Sequence, residues 1–164
     1  MANQQKPNPK KLIVEGKEDL RVIPELIEAH RVIWEPIKNE PVVEIIVADG
    51  DKKINQDTIS TRLKESGLTA LGIIIDADRD LEARWRSIRN FCLPSIPDIP
   101  EHLPTSGLIH ITPKNIRFGI WIMPDNQTQG MLEPTFRTTK CSIDNETKWR
   151  EYLPGKKLEK NEKP

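Results

Sequence analysis

Residues 71–80, LGIIIDADRD, constrain the fold more than any other stretch of this chain. A continuous apolar run, rich in β-branched residues and bounded by polar ones, reads as a buried strand of a parallel sheet. The run stops at two carboxylates, Asp76 and Asp78. In open α/β sheets ligands sit just beyond the carboxyl ends of the strands, so acids there stand where a cation or a phosphate would bind. Two readings of the pair are open at this point. One of the aspartates caps the helix that follows, or their mutual repulsion is neutralised by a hard divalent cation with oxygen ligands.

The rest of the chain supplies the partners such a strand needs. Leu12, Ile13 and Val14 form an earlier apolar strand, ended by Glu15 and by Gly16, which lets the backbone turn. Residues 18–33 place Leu20, Ile23, Leu26 and Ile27 on one helical face, with Pro24 requiring a late start or a bend. Residues 42–47, VVEIIV, predict another strand and residues 48–51 a turn. Asn55 or Asp57 then caps a short helix carrying Ile59 and Leu63, with Gly67 at its end. Strand, helix, strand, helix, strand is the order of a parallel sheet with helices on its faces.

After the central strand, Leu81, Trp85, Ile88 and Cys92 make an apolar helical stripe, read as a core face. Arg79, Arg86 and Arg89 lie mostly on the other side, either as a solvated face or beside a bound phosphate backbone. A loop with several prolines follows. GLIHIT and IRFGIWIMPDN then predict an antiparallel hairpin around Pro113, Lys114 and Asn115, added to the sheet. His110 and Trp121 within it read as packing residues. The expected organisation is a disordered arm over residues 1–10, one α/β domain over 11–133, and a polar, disordered tail over 134–164.

Charge and cysteine content set bounds on function. Lysine plus arginine equals aspartate plus glutamate at 25 each, so no global basic field points to nucleic acid and any such contact must be local. The two cysteines, Cys92 and Cys141, have no metal-ligand spacing. The start, MANQQKPNPKK, lacks the apolar core of a signal peptide, and no stretch is long enough to span a bilayer. A soluble cytoplasmic protein is the expectation.

Three acids thus stand at strand ends: Glu15, then Asp76 and Asp78. With VEGKED at the first and DADRD at the later one, residues 11–133 resemble the TOPRIM superfamily, the catalytic domain of topoisomerases, bacterial primases and nucleases. The DADRD form, the GIWIMPDNQTQGMLE segment and the small size are most similar to short TOPRIM-like proteins of unassigned function. These stand nearest the branch of the overcoming-lysogenization-defect nucleases.

The resemblance implies a Rossmann-like TOPRIM fold and phosphodiester hydrolysis dependent on Mg²⁺ or Mn²⁺. Glu15, Asp76 and Asp78 would be catalytic and metal-binding, with Glu133 completing a second metal position and Asp125 a weaker candidate. In the alternative that the resemblance also implies, Glu15 is the general acid or base. Lys17 and Arg79, each beside an acidic motif, are the expected phosphate contacts. The implied partners are DNA or RNA, an ATPase subunit and a second copy of the chain, with no membrane. The departure from the branch lies after LE, where Pro134 and a polar tail replace the region that carries its basic catalytic residue; Lys140 cannot be aligned with it. A non-catalytic TOPRIM module that binds nucleic acid or an ATPase partner is therefore the alternative. A haloacid-dehalogenase-type phosphatase ranks below both, because Asp80 stands where its motif has Thr or Val.

Overall fold

Parallel strands must be joined by crossovers, and the computed structural model, which describes residues 7–48 and 54–129, shows how this chain makes them. In chain order the elements are β1 (Lys10–Val14), α1 (Asp19–Ala29), β2 (Glu44–Val47), α2 (Gln56–Arg62), β3 (Ala70–Asp76), α3 (Leu81–Cys92), β4 (Leu108–Ile111) and β5 (Arg117–Met123). The sheet order is β2-β1-β3-β5-β4. All neighbours are parallel except β4 and β5, which form the expected antiparallel hairpin. The result is a mostly parallel α/β sheet compatible with a Rossmann-like fold.

The path of the chain fixes where the helices lie. From β1 to β2 it steps one way along the sheet; from β2 to β3 it steps back past β1, and from β3 to β5 it continues in that second direction. Because such crossovers are right-handed, α1 falls on one face and α2 and α3 on the other. Burial agrees. Ile59 of α2 and Trp85, Ile88 and Cys92 of α3 form one core with Ile13, Leu71, Ile73, Ile75, Phe118, Ile120 and Ile122. Val14 alternates to the opposite face, where it and Ile23 of α1 are buried outside that cluster.

Several local expectations are refined. Pro24 stands inside α1; the carbonyl that loses its helical donor is that of Leu20, itself an exposed residue. Asn55 is the cap of α2, its side chain accepting from the Thr58 amide at 2.9 Å. Pairing begins at Lys10, and the residues before it are tied to the sheet: the Asn8 side chain donates to the Pro41 carbonyl and the Thr69 amide to that of Pro9, both at 2.7 Å. His110 lies in the edge strand β4, with its Nε2 3.2 Å from Asp98 Oδ1. No helix among the described residues is long and apolar enough to cross a membrane.

One ion-pair group sits beneath the amino ends of the strands. Lys11, almost fully buried, places its ammonium 2.5 Å from Glu65 and 3.4 Å from Glu44. Arg62 also pairs with Glu65 at 2.5 Å. Desolvation pushes the Glu65 carboxyl up, but its bonds to Lys11 and Arg62 outweigh it and hold the group below the ordinary 4.5. A depressed carboxylate contributes stability above its unfolded value and loses it as pH falls through its folded one. Glu65→Gln is therefore expected to destabilise the domain by about 1–3 kcal/mol at neutral pH. In urea melts at a series of pH values, the deficit should shrink to nothing as the pH drops below 4.5.

Candidate functional site

Glu15 and Asp76 come together because of where the chain reverses direction along the sheet. β1 and β3 are neighbours, yet α1 leaves β1 toward one face and α3 leaves β3 toward the other. A crevice opens at such a switch point, beyond the carboxyl ends of the two strands. The register pairs Val14 with Ile74, so the next residue, Glu15, is level with Ile75, one residue before the end of β3. Its Oε2 accepts the Asp76 amide at 2.9 Å, a contact across 61 positions of sequence.

Beyond Asp76 the backbone continues one step of sheet pairing, the Ala77 amide donating to the Met123 carbonyl at 3.1 Å. It then turns at Asp78, which is exposed and holds φ +53°. Aspartate is among the few non-glycine residues that tolerate this left-handed conformation. The cap of α3 is neither of the paired aspartates: Asp80 accepts the Ala83 amide at 2.9 Å. The helix-cap reading of Asp76 and Asp78 is thereby replaced.

Arg84, which the sequence reading passed over in favour of Arg79, Arg86 and Arg89, joins the two strand ends. Its guanidinium pairs with Glu15 Oε1, and its Nε donates to the Asp76 carbonyl at 3.2 Å. Both Glu15 oxygens are thus engaged, one by a backbone amide and one by a cation. The signal for Arg84 lay in the apolar stripe. It stands three residues after Leu81 and four before Ile88, bordering the stripe on one side as Arg89, four after Trp85 and three before Cys92, borders it on the other. Of the other arginines, Arg79 and Arg86 are exposed, while Arg89 is half-buried and donates to the Pro100 carbonyl at 2.9 Å.

Lys17 and Arg79 are exposed, one just beyond the end of β1 and the other next to Asp78. Gly16 does not adopt a left-handed φ, so its turn does not require glycine; an added Cβ would meet nothing closer than Asp19 Oδ2 at 3.8 Å. The Gly16 amide itself donates to that oxygen at 3.0 Å. Asp125 follows β5 at the same edge of the sheet but is spent on its own turn. The amides of Thr128 and Gln127 donate to it and hold its carboxyl below the ordinary value. Glu133 lies outside the described residues.

Among the described residues no group of three or more His, Cys, Asp or Glu side chains gathers as a metal centre would. The donors present nevertheless suit Mg²⁺ or Mn²⁺ in kind. They are hard carboxylate oxygens, and Mg²⁺ takes only one or two from a protein while keeping several waters. Occupation would require Glu15 to exchange its bond with Arg84.

Fold and site together define a doubly wound α/β domain with carboxylates at its switch point. The chain belongs to a family described as a protein of unknown function, DUF3226, whose model matches residues 9–154. Comparison with curated proteins and with solved structures found no match.

Proposed function

We propose that the protein hydrolyses phosphodiester bonds of DNA or RNA in a TOPRIM-type reaction dependent on Mg²⁺ or Mn²⁺. The observation that supports this reading is the bond from the Asp76 main-chain amide to the Glu15 carboxylate, which sets Glu15 beside the strand end that carries Asp76 and leads to Asp78. Glu15, Asp76 and Asp78 would hold the ion. Once bound, the ion would acidify a water molecule and offset charge on the phosphoryl oxygens. The Asp76 amide orients the Glu15 carboxylate. As an alternative to holding the ion, Glu15 would serve as the general acid or base of the reaction. Lys17 and Arg79 flank the strand ends as phosphate contacts, and Glu133 remains the candidate for a second metal position.

Gly16 separates function from stability. Gly16→Ala is expected to leave the urea midpoint unchanged, because the new methyl group makes at most ordinary van der Waals contact. If the phosphate approaches the backbone there, the same variant should cleave about tenfold more slowly, since small misplacements of a bound group cost that much or more.

A second reading, a non-catalytic module that binds nucleic acid or an ATPase partner in the cytoplasm, is favoured by one observation: Glu15 is already neutralised by Arg84. The test that separates the two is Mn²⁺-dependent cleavage of plasmid, single-stranded DNA and RNA by the purified protein and by an Asp76→Ala, Asp78→Ala double variant. Cleavage confined to the wild type supports hydrolysis. Absence of cleavage in both, with nucleic acid still bound, supports the module.

A further inference from the structure

We propose that Arg84 is a positioning residue that makes cation binding at the strand ends conditional on a phosphate group. With no phosphate present its guanidinium holds Glu15; a phosphodiester entering the crevice draws the guanidinium off and so opens the carboxylate to Mg²⁺ or Mn²⁺. The inference rests on the metal reading proposed above.

The geometry points this way because Arg84 does two things at once. It neutralises Glu15 and it bonds to the main chain of Asp76, the residue that ends the neighbouring strand. A dication approaching Glu15 therefore meets a fixed positive charge in contact with the oxygen it needs, and like charges at that separation repel strongly where water is partly excluded. The Arg84 side chain is 27% exposed and that of Glu15 36%, so solvent screens the pair only in part.

The guanidinium is also suited to leave. Its planar fork matches a phosphate oxygen pair as well as a carboxylate, and it stays charged whatever its partner. A phosphodiester at the switch point would carry the same single negative charge as Glu15, so the guanidinium can exchange one partner for the other without losing a charged partner and leave Glu15 to the metal. Metal and phosphate then favour each other, since the phosphate removes the group that competes with the metal.

Mn²⁺ titrations followed by electron paramagnetic resonance test the idea, using the full chain with and without a hydrolysis-resistant phosphorothioate oligonucleotide. Wild type, Arg84→Gln, Arg84→Lys and Glu15→Gln are compared, with circular dichroism to confirm folding. Without oligonucleotide, Arg84→Gln should bind Mn²⁺ about fivefold or more tightly than wild type, a coupling of ordinary size between two ligands of one site. The oligonucleotide should then tighten Mn²⁺ binding more in wild type than in Arg84→Gln. Glu15→Gln should bind Mn²⁺ weakly in either state.

Equal or weaker Mn²⁺ binding by Arg84→Gln, with wild type binding and Glu15→Gln deficient, overturns the inference and leaves the metal reading standing. Absence of Mn²⁺ binding in every variant, with or without oligonucleotide, overturns both. Should Arg84→Gln fail to fold, Arg84→Lys decides. Lysine keeps the charge that opposes the dication but lacks the fork that exchanges partners, so the oligonucleotide should tighten its Mn²⁺ binding less than in wild type, and an equal tightening overturns the proposal.

Discussion

Asp76→Asn is expected to lower Mn²⁺-dependent cleavage by about 10³-fold, the usual scale for loss of a group that stabilises charge in the transition state. The urea midpoint should stay close to that of wild type. Both expectations come from the same detail. The contacts that Asp76 makes to Glu15 and Arg84 run through its main chain, the amide to one and the carbonyl to the other. Asparagine keeps that main chain and the shape of the side chain, so it removes a negative charge while leaving the scaffold that aligns Glu15. Glu15→Gln is a poorer probe, because it also removes the partner of Arg84 and changes two groups at once. Plasmid nicking assays at matched protein concentration measure the effect. Retention of cleavage within about twofold would remove Asp76 from the reaction, given how much a charge-stabilising group ordinarily contributes.

What the sequence disclosed about this site followed from periodicity, and what it withheld followed from side-chain reach. The apolar runs before Glu15 and Asp76 mark two strands by composition alone, and alternation with helices makes those strands parallel. Their carboxyl ends must then share an edge. No such argument gives the register, and it is register that puts the Glu15 carboxylate on the Asp76 amide.

The capping role shows the same limit. Asp76, Asp78 and Asp80 are equivalent as residue types, and only the left-handed turn at Asp78 decides that Asp80 meets the first turn of α3. Arg84 is harder to place from sequence. Amphipathic analysis assigns charged residues to solvent, yet a long side chain on the packed face of a helix can run past the core and deliver its charge at the sheet's edge. Gly16 was legible as a glycine beside an acid, but the turn there does not use a left-handed φ, so the backbone freedom inferred for it was not the reason.

The largest loss of stability is expected at Trp85, the residue next to Arg84. Trp85 is 2% exposed in the core between α3 and the sheet, and its Nε1 donates to the Glu101 carbonyl at 2.7 Å. Trp85→Ala removes the ring and leaves a cavity that the sheet cannot close, at a cost of about 3–5 kcal/mol. For a chain of this size that lowers the melting temperature by roughly 10 °C. Trp85→Phe keeps most of the ring and loses the bond to Glu101, so about 1–2 kcal/mol is expected. The graded pair also tests how Arg84 is held. Trp85 fixes the roll of α3, and the roll sets where the guanidinium one residue earlier arrives. Urea melts give the stabilities, and Mn²⁺ affinity measured on the folded Trp85→Phe protein gives the second readout. If Arg84 depends on that packing, Trp85→Phe should shift Mn²⁺ affinity in the same direction as Arg84→Gln, by a smaller factor. An affinity identical to wild type would show that the contacts to Glu15 and the Asp76 carbonyl alone are enough to place Arg84.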